Sequence, residues 1–412
     1  TFALLIEINL MLPKNLNNEN QSWSIIFGFW LVYFCFGYSV SSIAPIVPYI
    51  THDLNISYKQ MGLILGAWQF TYMFFALPAG YILDKYGLKI SIFTAAIIIT
   101  LSLILRGLSE NFYHMWLAVA LFGIGGPLIS VGVPKASILW KSEKNRAISM
   151  GILFTGPMCG GIFSLLTMNS LIMPLLNNNW KLVYFLYSLA PFLSGLIWLF
   201  ITKNKVVLNK KESSLLNISN SISIFKLIIS KKRFINILIL GTGGMFLVHS
   251  ITGWLPKIIH AKGIDLSLSS ALATIPIIIG ILSALTITRF ANKDTRINIL
   301  TILFVNAGLS LFFIQSSNLS IIIIGLLFLG LSTGTLIVII LNHMSESKNI
   351  SFNNLGIAGG IFFSIIQIGG VLGPFFMGLV YDLYNNFNIA LSIYSIIMFM
   401  MLLPLFIIRK EK

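Results

Sequence analysis

The chain reads as a succession of long apolar blocks separated by short polar ones. Blocks bounded by charge or by Asn, Ser and Gly clusters predict twelve helices, at about 24–49, 59–83, 88–107, 113–134, 147–174, 182–201, 234–256, 267–288, 297–315, 319–342, 353–379 and 387–408. Each is close to the roughly 20 residues a helix needs to cross a hydrocarbon core. One polar stretch is long. Residues 202–233 hold Lys203, Lys205, Lys210, Lys211, Lys226, Lys231, Lys232 and Arg233 against Glu212 alone, and they divide six predicted spans from six. The expected organisation is a tail (1–23), a six-helix bundle (24–201), a basic linker (202–233), a second six-helix bundle (234–408) and a short tail (409–412).

Composition narrows the class. Of 412 residues, 57% are hydrophobic and 9% charged, against about 25% charged in a soluble domain. An all-α integral membrane protein with no sizeable aqueous domain is the reading, which sets aside most enzyme classes. The net charge of +15 does not point to nucleic acid, because the Lys and Arg residues sit between apolar runs rather than on one wetted face. They report topology instead. If the N-terminus is cytoplasmic, only Lys59, Arg106, Lys181, Lys257 and Lys262 of the 27 basic residues fall on the outer side, so both termini are expected inside. Thr1 to Leu10 lacks the basic flank and small-residue cleavage site of a signal peptide, and Met11 is a plausible start. Cys35 and Cys159 lie in apolar blocks, which argues against a disulfide framework or a Cys-based metal site. No cofactor or metal is expected.

The two sets of six look like copies. Pro45 and Pro256 are 211 residues apart, Asp84 and Asp294 are 210 apart, and Gly156-Pro157 and Gly373-Pro374 are 217 apart. Parallel six-helix repeats place a solute site near the bilayer midplane, between halves that rock against each other.

Between the second and third predicted helices runs Gly80-Tyr-Ile-Leu-Asp84-Lys85-Tyr-Gly87-Leu-Lys89. It resembles the signature loop of the major facilitator superfamily, Gly-x-Leu-x-Asp-Arg-x-Gly-Arg-Lys. Gly80, Asp84, Gly87 and Lys89 match, Lys85 replaces an Arg, and Leu88 departs from the usual basic residue. A carboxylate there can meet a helix N-terminus or a cation, and such a contact acts as a latch if it exists in one conformation only. A solvated turn is the plainer reading. Thr155-Gly156-Pro157-Met-Cys-Gly160-Gly161 resembles the fifth-helix motif of antiporters and exporters in that superfamily. Simple helix packing explains Gly156 and Gly160 equally well, so antiport is not inferred. The spacings at Gly62/Gly66, Gly330/Gly334 and Gly369/Gly373 read as helix contacts too. Lys135-x4-Trp140 with Arg146-Ala147 is similar to organic-anion branches, and Trp254-Leu-Pro256 to cyanate-permease-like and anion–cation symporter-like members.

An ionisable group within a span is a functional candidate because charge in hydrocarbon is expensive. All twelve acidic residues fall in loops, tails or helix ends, so the buried carboxylate that commonly carries the proton in this superfamily is missing. Lys135 is a candidate anion ligand or a snorkelling anchor; Arg106 reads as an interfacial anchor. His249 is the one histidine expected well inside a span, as proton carrier, solute donor or packing residue. The repeat offset pairs it with Tyr38. Tyr33, Gln69, Tyr72, Trp254 and Gln367 complete the expected lining. The expected function is a secondary transporter of a small polar or anionic solute, monomeric, in the plasma membrane. Drug or metabolite efflux and a transporter-fold sensor are the alternatives.

Overall fold

The computed structural model describes residues 19–140, 146–203, 218–345 and 355–410. Most of the two expected tails, part of the linker (204–217) and residues 353–354 of the eleventh predicted helix lie outside the described residues. Eleven described stretches are long and apolar enough to cross a membrane. The longest, Tyr58–Gly107, holds two spans that meet at Gly87, where φ is 76° and ψ 165°. Only glycine adopts that conformation without strain, so the turn expected between 83 and 88 shrinks to one residue. The twelve spans are α1 (Trp23–Asp53), α2 (58–86), α3 (88–107), α4 (Phe112–Ser137), α5 (Ile148–Leu175), α6 (Trp180–Ile201), α7 (Lys232–His260), α8 (Leu266–Phe290), α9 (Arg296–Ile314), α10 (Leu319–Met344), α11 (Ala358–Tyr384) and α12 (Phe387–Lys410).

Polar residues at the block edges start these helices. Ser57 and Gln60 form a reciprocal capping box on α2, and Asn111, Asn179, Asp265, Asn318 and Asn386 each accept from a first-turn N–H. Such caps satisfy donors the helix cannot satisfy itself. Large apolar side chains such as Phe200, Ile302 and Phe406 stay exposed on the outer helix faces, where lipid rather than water is the compatible neighbour.

Two spans at corresponding places in the sets of six bend alike. In α4 the helix runs Phe112–Ser130 and resumes at Gly132; in α10 it runs Leu319–Thr333 and resumes at Leu336. This shared break supports the pseudo-repeat independently of the proline spacing. Span α1 breaks too, after Ser41, into a short 3-10 turn at Ala44–Ile46, because Pro45 and Pro48 lack the N–H that would continue the ladder.

That break corrects the reading of Arg106. Its side chain is fully buried rather than anchored at an interface. Nη1 donates to the Ser39 carbonyl at 2.9 Å, and the guanidinium lies over the Phe122 and Tyr184 rings. A cation at a helix C-terminal end meets both the free carbonyls and the helix dipole. Arg106→Ala is expected to lower the apparent Tm by several degrees, since a buried charge-assisted hydrogen bond contributes about 1.5–3 kcal/mol. A thermal unfolding series with Arg106→Lys as the partial rescue checks it.

Close approaches hold the bundles together. A Cβ on Gly160 would collide with the Phe34 carbonyl of α1, and Gly156 faces Trp30 and Phe34. In the second set, Gly369 and Gly373 face Thr242 and Phe246 of α7. The sets meet along α2 and α11, from Gly378 against Tyr58 at one end to Gly360 against Leu77 at the other. One further helix, Ile218–Ser230, lies between α6 and α7 within the segment expected to be a plain linker.

Candidate functional site

A cavity of about 460 Å³ lies between the two sets of six helices. Span α1 contributes Tyr33, α2 Trp68, α5 Pro157, α7 His249 and Thr252, and α10 Thr333. The Trp68 ring stands edge-on to His249, with centroids 5.3 Å apart. Most of the remaining wall is apolar, and no Lys, Arg, Asp or Glu is among the described lining residues.

Three polar side chains converge beside this cavity because Gly370 has none. A Cβ there would lie 2.8 Å from Gln367 Oε1, 2.8 Å from His249 Cδ2 and 3.1 Å from Gln69 Cγ. Gln69 and Gln367 are both almost completely buried, and each Oε1 lacks a hydrogen-bond partner among the described residues. A buried polar atom left unpaired costs about 1–3 kcal/mol, so this is a place that favours a donor from outside the protein. Gly370→Ala is expected to lower the apparent Tm by crowding this junction, since overpacking costs about 1–3 kcal/mol. A thermal unfolding series against the parent protein checks it.

The other expected lining residues sit elsewhere. Tyr38 does not face His249; it stacks on Tyr187 of α6 at 4.1 Å, inside the first set. Tyr72 bonds Ser130 Oγ at 2.8 Å. Trp254 is fully buried and donates to the Pro374 carbonyl at 2.9 Å, with its ring stacked on Tyr58. Lys135 is not among the cavity-lining residues. Its Nζ reaches Asp84 Oδ1 at 2.6 Å and the Leu83 carbonyl at 3.0 Å, because α4 continues as a helix past its break and carries Lys135 alongside the end of α2.

The signature-loop residues cluster at this same end. Lys85 lies over the Tyr86 ring, Lys89 Nζ reaches the Lys203 carbonyl at 3.4 Å, and Gly80 has open space where a Cβ would be. The side chain of Arg146 is outside the described residues. Pro157 lines the cavity and its carbonyl packs against Gly37.

At the opposite end the sets are tied by a contact that sequence reasoning missed. Asp382 of α11 accepts from the backbone N–H groups of Tyr58 at 2.9 Å and Lys59 at 2.7 Å, in the first turn of α2. Tyr58 is packed between Trp254, Tyr381 and Phe387, with the Lys257 ammonium over its ring. Nearby, Asn169 of α5 donates to the Pro45 carbonyl and to Ser270 of α8, both at 2.9 Å. On the loops of this end, Lys262 Nζ donates to the Gln315 carbonyl at 2.9 Å and Asn388 Oδ1 at 3.2 Å, and burial pulls its pKa below the ordinary lysine value. A signal for the Asp382 contact was present: Gly378-Leu-Val-Tyr-Asp382 repeats the Gly-x-x-x-Asp spacing of Gly80 to Asp84.

Comparison with known proteins places this geometry. The family description of the Major Facilitator Superfamily matches residues 29–374. The chain is 22% identical over 369 residues to a hexuronate transporter of Bacillus subtilis (strain 168), covering 84% of this chain and 85% of that protein. It is 25% identical over 316 residues to the multidrug resistance protein MdtG of Proteus mirabilis (strain HI4320), covering 72% and 74%. Among solved structures, the nucleoside transporter NupG aligns with a TM-score of 0.75 at 15% identity, covering 95% of this chain and 100% of NupG. A bacterial homologue of the lysosomal transporter Spinster aligns at 0.72 and 15%, covering 95% and 96%. With twelve spans in two sets of six around a central cavity, and that match across most of its length, the chain belongs to the Major Facilitator Superfamily.

Proposed function

We propose that this multi-pass membrane protein is a secondary transporter of a small polar or anionic solute, bound in the central cavity and carried by alternating access. The carrying observation is the pair of buried, unpartnered amide oxygens of Gln69 and Gln367 beside His249. They would accept from solute hydroxyls while the imidazole donates to, or neutralises, an acidic group. Trp68 and Tyr33 supply flat walls for a ring. The hexuronate relative makes a sugar acid the first probe. Proteoliposome uptake of labelled glucuronate, with galacturonate, glucose and nitrate as competitors, tests the reading; uptake of none of them would remove the polar-solute assignment. A second reading, export of a lipophilic compound, draws on the MdtG relative and on Met158, Met245 and Leu165 in the wall. Drug-stimulated efflux from the same vesicles would favour it.

In this proposal residues 24–201 and 234–408 move as two bodies, with both termini in the cytoplasm by the Lys and Arg bias. Asp382 then latches the outer face by holding the α2 N-terminus. Asp84, held by Lys135 within its own set, is the corresponding carboxylate of the inner face. Lys135 serves the latch rather than the solute: Lys135→Gln is expected to change transport rate while leaving equilibrium solute affinity within about threefold, a loss far smaller than the tenfold or more from removing a charge-assisted contact to an anionic solute. Comparing thermal-shift titrations with initial uptake rates separates the two roles.

A further inference from the structure

The helix Ile218–Ser230 has two apolar sides and a basic one, and a single residue, Lys231, separates its end from the start of a membrane span at Lys232. Residues one apart on a helix are about 100° apart around its axis, and residues four apart fall nearly in line. Ile224 and Ile228 therefore make one stripe, Phe225 and Ile229 the next, and Lys226 with Ser230 the third. The first stripe is buried, where this helix packs on α7 and α11. The second is exposed, Phe225 at 42% and Ile229 at 44%. The third carries charge, and exposed Lys231 and Lys232 follow at the turn into α7.

We infer that this helix is a docking surface for anionic phospholipid. Its place fixes the neighbour: Ser230 and Lys232 are at most about 7 Å apart along the chain, so the helix end lies at the level where α7 enters the bilayer. Ile235 and Ile239, in the first turns of α7 itself, are exposed too. The order of stripes then matches the order of the medium. Ile224 and Ile228 rest on protein, Phe225 and Ile229 enter the upper acyl region, and Lys226, Lys231 and Lys232 reach the headgroups. Acidic side chains are lacking on this helix and at its junction with α7: residues 218–233 contain no Asp or Glu. Each lysine near a charged leaflet is expected to enrich anionic over zwitterionic lipid about fivefold.

The test uses the full chain in nanodiscs with Phe225→Trp as reporter, its signal taken as the difference from the parent protein. Brominated phosphatidylglycerol or brominated phosphatidylcholine is mixed at equal content. Stronger quenching by the brominated phosphatidylglycerol, equalised when Lys226, Lys231 and Lys232 are all changed to Gln, is the expected result. Ile229→Trp gives the same readout if the first reporter fails to fold. Equal quenching by the two lipids in the parent background overturns the inference. So does the absence of quenching by either, which would mean that residue 225 is covered by another part of the chain.

Discussion

Asp382→Ala is expected to shift the protein away from the conformation described here and to raise the accessibility of the central cavity from the Tyr58 end. The carboxylate accepts two backbone N–H bonds from the first turn of a helix in the other set. A negative group in that position is favoured both by the unpaired donors and by the helix dipole. Asp382 is exposed, so solvent takes up part of the lost interaction, and a net effect of about 1–2 kcal/mol is appropriate. That is roughly a fivefold to thirtyfold change in the balance between conformations. Asp382→Asn keeps one acceptor and the shape but loses the charge, so it should fall between alanine and the parent. Labelling of a cysteine placed at Thr252, in a background where Cys35 and Cys159 are replaced, measures the exposure. Unchanged labelling in the alanine variant would remove Asp382 from the latch.

The second large effect is expected at His249. His249→Phe keeps a flat ring beside Trp68 but removes both nitrogens from the polar junction with Gln69 and Gln367. Loss of a hydrogen bond to an ionised partner corresponds to roughly a tenfold to hundredfold loss of affinity. His249→Gln separates two roles, because it can still donate but does not titrate in the physiological range. If the imidazole carries the coupled proton, His249→Gln should bind solute and show uptake that no longer varies with pH. Retention of the parent pH profile by this variant would assign coupling to another group.

The spans were legible because apolar runs of membrane length and the caps that start them are local properties of the chain. Gly62, Gly330, Gly334, Gly369 and Gly373 were legible as helix contacts for a similar reason: a bare helix face has few other uses in lipid. What the sequence did not carry was which way a polar residue turns. Tyr38 and His249 match by repeat offset, yet Tyr38 turns back onto Tyr187. Arg106 looked like an anchor because its position at a span end is visible while the broken end of α1 it caps is a tertiary feature. Asp382 was passed over as one of several acidic residues at a helix end, since its partner is a helix start more than 300 residues away. The helix Ile218–Ser230 is masked in the sequence by the basic residues around it, although Ile224, Phe225, Ile228 and Ile229 carry a helical apolar period.

In the proposed mechanism the cavity opens to one side at a time. Double electron–electron resonance on two spin-label pairs, one spanning α2 and α11 near Tyr58 and Asp382, the other spanning the ends near Asp84 and residue 358, measures it directly. As glucuronate or another transported solute is added, one distance is expected to lengthen as the other shortens, and Asp382→Ala should move the same balance without solute. Distances that stay fixed, or that lengthen together at both ends, would contradict the account.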